Sequence, residues 1–279
     1  MARLLLVYLA VMGFAASLAL AGQGEALAAA SGRIEGWAYN ATTGGSPLAS
    51  AQVTLLTYVD GNQTRETTLT ADGEGRFQFS DLDTGSTYTY EVTVRYLEIQ
   101  YRSVMLTFPQ GVDRLDISLP VYEITKENPG IQALSVSLVL AGVEENSRMI
   151  LAMERVSLYN PSDRTYVPNR SGPEGPMSFL RFGLPPGAVN LTPHEGLNDG
   201  EVVQSDRGFA STMPLLPGEH EVVYAYRFPY QSSKVAFTKS FLYGAGEFLL
   251  LAPKDTWEVD GPGLDAEESV TIGNREYRL

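Results

Sequence analysis

Three observations predict an all-β fold of two tandem antiparallel β-sandwich domains. From residue 31 onward, apolar and polar residues alternate with period two, Gly, Pro, Asn and Asp mark the breaks, and no long stretch repeats at the helical 3.6-residue period. Parallel strands need crossovers of a dozen or more residues, usually helical, so short strands without helices imply hairpins. The 279 residues contain no cysteine, which excludes disulfides, thiolate metal sites and a Cys nucleophile and leaves packed cores to supply the stability.

Residues 1–30 read as a signal peptide. Arg3 supplies a positive start, residues 4–20 are an apolar run, and Ala19-Leu20-Ala21 offers a small-x-small cleavage site, with a second at residues 28–30. The mature chain is expected to begin between Gly22 and Ser31. The alternative is an uncleaved anchor, since the apolar run is about the 18 residues that span a bilayer. No later segment is that long. The formal charge is −13, and removing residues 1–21, which carry Arg3 and no acid, makes it −14. Such a surface repels nucleic acid and anionic membranes.

The strands follow in order. Residues 33–39, 52–58, 64–70 and 76–79 come first. In 88–96, Tyr88, Tyr90, Val92, Val94 and Tyr96 share one face, against Thr89, Glu91, Thr93 and Arg95 on the other. Residues 102–107 and 114–118 complete the first domain. In 131–140, Leu134, Val136, Leu138 and Leu140 oppose Ser135 and Ser137. Strands at 149–159 and 179–182 follow, then one in which Val222, Tyr224, Tyr226 and Phe228 oppose Glu221 and Arg227, and one at 247–251. The texture changes near Leu119-Pro120, which divides the chain into one sandwich at 31–120 and another at 121–260. An acidic C-terminal tail, 261–279, is expected to be loosely held, with a small strand at 269–272. Residues 159–176, with Pro161, Pro168, Pro173 and Pro176, read as a long surface loop.

The first sandwich carries a family likeness. Gly36 opens a Gly-x-x-x-Asn strand to Asn40, and Pro47-Leu48-Ala49 leads into Ala51-Gln52-Val53-Thr54-Leu55. Residues 70–79, Thr-Ala-Asp-Gly-Glu-Gly-Arg-Phe-Gln-Phe, precede Leu82, Gly85 and Tyr88. In this pattern the chain resembles the carboxypeptidase regulatory-like domains, which have a prealbumin-like β-sandwich fold. It departs at Ser50, where family members often carry Gly. The resemblance covers about a third of the chain and implies a non-catalytic module that stabilises a neighbour or mediates contacts on exported proteins. The metallopeptidase domain of that family is absent, because the two histidines, His194 and His220, lie in no His-x-x-Glu arrangement. The second sandwich resembles, through 154–160 and 217–230, a companion domain of some bacterial exported proteins, and that likeness implies no activity.

Chemistry-bearing motifs are few. In an extended strand the neighbours of His220, Glu219 and Glu221, point to the opposite face and cannot share a metal with it, so a surface histidine is expected. Asp72-Gly73-Glu74 and Asp81-Leu82-Asp83 have the i, i+2 oxygens of a calcium loop, but the same residues serve ordinary Asx turns. No Gly-x-Ser-x-Gly elbow or phosphate loop occurs. Trp37, Tyr39, Tyr101, Tyr159, Tyr166 and Trp257 are the aromatics left over for a sugar platform.

The sequence thus predicts an exported, non-enzymatic structural or interaction module of the cell envelope that binds a protein partner, without catalytic residue, cofactor or metal. A carbohydrate-binding sandwich and an accessory subunit of an envelope enzyme are the alternatives. No nucleic-acid partner is expected, and membrane contact only through an uncleaved N-terminal segment. The partner surface is placed on the proline-rich loop, at Tyr159, Arg164, Tyr166 and Arg170, because interfaces enrich Tyr and Arg.

Overall fold

The computed structural model describes residues 31–42, 44–168, 178–232, 235–261, 264, 269–273 and 275–278. The signal-peptide reading falls outside them. In the first half of the chain run β1 (Ser31–Asn40), β2 (Ser46–Pro47), β3 (Gln52–Val59), β4 (Asn62–Thr70), β5 (Arg76–Asp83), β6 (Tyr88–Tyr96), β7 (Ile99–Arg102) and β8 (Arg114–Val121). The second half has β9 (Ile124–Thr125), β10 (Gln132–Glu144), β11 (Met149–Asn160), β12 (Thr165–Tyr166), β13 (Leu180–Gly183), β14 (Val189–Glu195), β15 (Val202–Ser205) and β16 (Gly208–Ser211). It ends with β17 (Gly218–Pro229), β18 (Glu247–Pro253), β19 (Ser269–Ile272) and β20 (Arg275–Arg278). Every regular element among the described residues is a strand, and the architecture is all-β.

Two sheets enclose the first core. β1 is flanked by β5 and β8 and continues into β2, while the facing sheet runs β4-β3-β6-β7. Alternation decides what faces inward: Ile34 and Ala38 of β1, Phe77 and Phe79 of β5, and Val53, Leu55, Tyr90, Val92 and Val94 of the facing sheet are all buried. Gly36 is required in β1, because a Cβ there would lie 2.5 Å from the Phe77 ring and 2.6 Å from the Ile117 carbonyl oxygen. The first core includes Val121, fully buried, so β8 runs one residue past the expected boundary at 120.

In the second core a sheet ordered β14-β17-β11-β10-β18-β20-β19 packs on the smaller β13-β16-β15 sheet. Phe182 and Phe209 stack with centroids 4.7 Å apart, and Phe209 meets Tyr224 of the large sheet edge-on at 4.8 Å. Pairing is mostly antiparallel, but β1 with β8, β10 with β18 and β9 with β12 pair in parallel. The first two of these bring together strands far apart in sequence, so the intervening strands supply the crossover that adjacent parallel strands would need from a helix.

Several expected details differ. Val136, Leu138 and Leu140 are buried, but Leu134 is exposed, because a bulge between Ala133 and Ser135 shifts the phase and turns Ala133 inward instead. The strand expected at 102–107 ends at Arg102, and Val104 and Met105 beyond it are exposed. The terminal segment is not loose where it is described. β19 and β20 form a hairpin, β20 pairs with β18, and Lys254–Glu276 and Arg275–Asp255 ion pairs at 2.6 and 2.8 Å tie it down.

Candidate functional site

The loop residues expected to bind a partner do not form one surface. Tyr159, next to last in β11, has 38% of its area exposed, and the Arg164 side chain is also solvent-facing, 4.0 Å from Asp163. Tyr166, by contrast, is buried in the second core, its phenol donating to the Ser178 carbonyl and its backbone bridged to Leu215. It is therefore not displayed to a partner. Arg170 lies outside the described residues. The polarity of 159–176 hid this, because β12 is two residues long and has no alternation to read, yet Thr165 and Tyr166 are both buried.

The other candidates also separate. Tyr101 is in the first core, and Trp257 packs against the second. His194 is exposed on β14, whereas His220, expected at the surface, is half-buried with Nε2 2.8 Å from the Leu216 carbonyl oxygen. Loss of hydration lowers its pKa below the usual histidine value. Asp72 serves a turn: its Oδ1 accepts from the backbone N–H groups of Glu74 and Arg76 at 2.9 and 2.8 Å. Among the described residues no group of three or more acidic or histidine side chains is placed to hold a metal ion.

What remains is Trp37, with Tyr39 stacked on it. Because β1 alternates, Arg33, Glu35, Trp37 and Tyr39 project outward from the first sandwich. Registry fixes their neighbours. Glu35 lies between Gln78 of β5 and Asp116 of β8, Trp37 lies between Arg76 and Ser118, and Arg33 pairs with Arg114. Of these, Glu35, Trp37, Arg76, Gln78, Arg114, Asp116 and Ser118, with Asp72, line a groove of about 650 Å³. The Trp37 and Tyr39 rings are 4.5 Å apart and inclined by 19°. Tyr39 covers part of the indole and does not line the groove, so the rest of the Trp37 ring forms its apolar wall.

Each guanidinium group on this face is paired with a carboxylate, and Asp72, which also lines the groove, adds an acid whose Oδ1 accepts from backbone N–H groups. Glu35 takes Arg33 on one carboxylate oxygen at 3.1 Å and Arg114 on the other at 3.2 Å, while Arg114 also reaches Asp116 at 2.6 Å. Arg76 pairs with Glu74 at 2.9 Å. Hydrogen bonds to Glu74 and Asp116 raise the pKa of Arg76 and Arg114 respectively. Both guanidinium groups present N–H donors on this face, and the carboxylates beside them present acceptors.

No family model matches the chain, and no curated protein matches it. Among solved structures, the full-length major pilin SpaD of Corynebacterium diphtheriae is similar at 10% identity with a TM-score of 0.27, over 70% of this chain and 57% of the pilin. The chain therefore spans less than two thirds of the pilin's length. The β-sandwich architecture stands on the strand order and cores described above, and the carboxypeptidase regulatory-like resemblance stays a likeness of motif.

A polar cluster in the second core escaped the sequence reading. Glu154 is wholly buried on β11. It accepts hydrogen bonds from Tyr224 and Tyr226 of β17 at 2.8 and 2.6 Å and pairs with Lys239 Nζ at 2.5 Å, which also donates to the Gly183 carbonyl at 2.6 Å. Burial first, and then Glu154, push both tyrosine pKa values far up. The signal was present, since Glu154 falls in phase with Ile150, Ala152, Val156 and Leu158, the buried face of β11. The space beside it is about 20 Å³, room for a water and not for a substrate.

Proposed function

We propose that this chain is an exported, non-enzymatic interaction module of the cell envelope, and that it recognises its partner through the outer face of β1, β5 and β8. The groove on that face is the observation that carries the reading. It combines an exposed tryptophan with polar side chains that converge from three strands, which is what a recognition surface needs. Glu35 and Asp116 are held by guanidinium groups and Asp72 by backbone N–H groups, an arrangement suited to accepting hydrogen bonds and not to storing a proton for acid catalysis. The buried Glu154 cluster has no space for a substrate. Export is supported by Arg3, the apolar run that follows and the small residues at 19–21.

A photo-reactive residue placed at Ser118 in the native host tests this. Irradiation should yield an adduct with an envelope component, while the same residue at Thr192 of β14 should not. The absence of any adduct at 118, or recovery of the protein from the cytosolic fraction alone, would overturn the reading.

A further inference from the structure

We infer that the groove binds a neutral oligosaccharide, with one pyranose ring against Trp37 and its hydroxyls held by Glu35, Arg76, Gln78 and Asp116. The inference rests on the recognition role proposed for the same face and names the chemistry of what that face recognises.

Trp37 leaves 44% of its surface in water on a sheet whose inner face is fully packed, so the fold gains little from having an indole there. Its stack on Tyr39 fixes the ring before any ligand arrives, which lowers the ordering cost of binding. A flat aromatic surface matches the apolar C–H face of a pyranose. It matches a charged or flexible peptide chain less well.

Arg33, Arg76 and Arg114 would attract a phosphate or sulfate if they stood alone, but each is paired with Glu35, Glu74 or Asp116. An anion would have to break those pairs and meet the acids. A cation would meet the guanidinium groups. Hydroxyls suffer neither penalty, because each one donates to a carboxylate and accepts from a guanidinium N–H at the same time. Vicinal hydroxyls therefore suit a row in which Glu35 and Asp116 are register neighbours and Arg114 contacts both.

A groove of about 650 Å³ falls in the range of roughly 300–1,000 Å³ that small ligands occupy, and its lining is spread over the three strands β1, β5 and β8.

The test is isothermal titration calorimetry on the full chain with neutral hexasaccharides of β-1,4-glucose, β-1,4-N-acetylglucosamine, β-1,4-xylose and β-1,4-mannose, and with hexagalacturonate as the anionic control. At least one neutral hexasaccharide should bind saturably and hexagalacturonate should not. Trp37→Ala should weaken binding by about tenfold or more, as loss of a central aromatic anchor does, and Trp37→Tyr should restore part of it. Ser118→Arg, which fills the groove and leaves Trp37 in place, should weaken binding as well. Tyr159→Ala, on β11 of the second core, should leave it unchanged. In a Trp257→Phe background the remaining tryptophan, Trp37, should change its emission on titration. The inference is overturned if no neutral hexasaccharide binds, if only the anion binds, or if Trp37→Ala and Ser118→Arg both bind like the parent. Adducts at position 118 that contain protein and no glycan would also overturn it while leaving the interaction role intact. Cleavage of a bound hexasaccharide would support the glycan site but remove the non-enzymatic reading.

Discussion

The phenol oxygen of Tyr101 lies 3.0 Å from the hydroxyl oxygen of Thr165, joining β7 of the first core to β12 of the second in a fully buried contact. Tyr101 also donates to the Tyr122 carbonyl at 2.9 Å, just past the end of β8. Nearby, Thr42 Oγ1 donates to the Asp163 carbonyl and accepts from the Glu123 N–H. The two cores are therefore hydrogen-bonded to each other and not merely strung on one chain. Tyr101→Phe and Thr165→Val should each cost about 1–2 kcal/mol in chemical denaturation, as a buried group loses its partner. The double variant should cost less than the sum, by about 0.5 kcal/mol or more. Strict additivity would mean that the contact does not couple the two halves.

How much of this was legible depended on strand length. The alternation in 218–229, and in 88–96 apart from Thr93, which is buried beside Val92 and Val94, survives in the structure because each strand makes several consecutive pairs on one buried face, which leaves a repeating pattern in the residues. β12, with two residues, and β7, with four, leave no such pattern, so neither the burial of Tyr166 nor that of Tyr101 could be read. Leu134 shows a different limit. Its phase is set by a bulge that depends on the partner strand, and Gly246, whose N–H bonds the Ala133 carbonyl, sits more than a hundred positions away in sequence. The groove was half visible. Trp37 and Tyr39 stood out as unassigned aromatics, but Arg76, Gln78, Asp116 and Ser118 join them only through the pairing of β1 with β5 and β8, which is long-range information.

Glu154 and Lys239 should behave as one buried unit. Glu154→Gln leaves an unpaired ammonium in the core, and Lys239→Met leaves an unpaired carboxylate. Each should lower stability by about 3–5 kcal/mol, the usual consequence of breaking a buried pair from one side. Glu154→Gln with Lys239→Met should recover a large part of that loss, since neither charge remains. Thermal denaturation of the three variants checks this, and a double variant as unstable as the worse single one would show that packing, not charge, dominates the site.

Tyr166 and its loop neighbours should separate sharply. Tyr166→Ala empties a buried aromatic site and should cost about 3–5 kcal/mol, a fall in Tm on the order of 10 °C for a chain of this size. Tyr159→Ala and Arg164→Ala, both solvent-facing, should stay within about 1 kcal/mol of the parent. Differential scanning calorimetry decides. A Tyr166→Ala protein that melts like the parent would return that side chain to the surface and reopen the loop as a partner site.

His220 should make stability depend on pH in a defined direction. Its folded pKa is lowered, chiefly by burial, so the native state holds the neutral ring while the unfolded chain titrates near 6.5. Glu219, which acts the other way, and the Leu216 and Pro217 carbonyls only partly offset that burial. Below about pH 6.5 the unfolded state binds more protons than the native one, and the linkage relation then makes stability rise with pH. The contribution is fully present above the unfolded value and is lost as pH falls through the folded one. His220→Gln keeps an N–H donor for Leu216 and removes the titration. Between about pH 7.5 and pH 5 the parent should therefore lose more stability than His220→Gln, with the two curves parallel above pH 7.5. Urea denaturation at several pH values measures the difference, and curves that stay parallel throughout would show that the ring is hydrated in the folded protein.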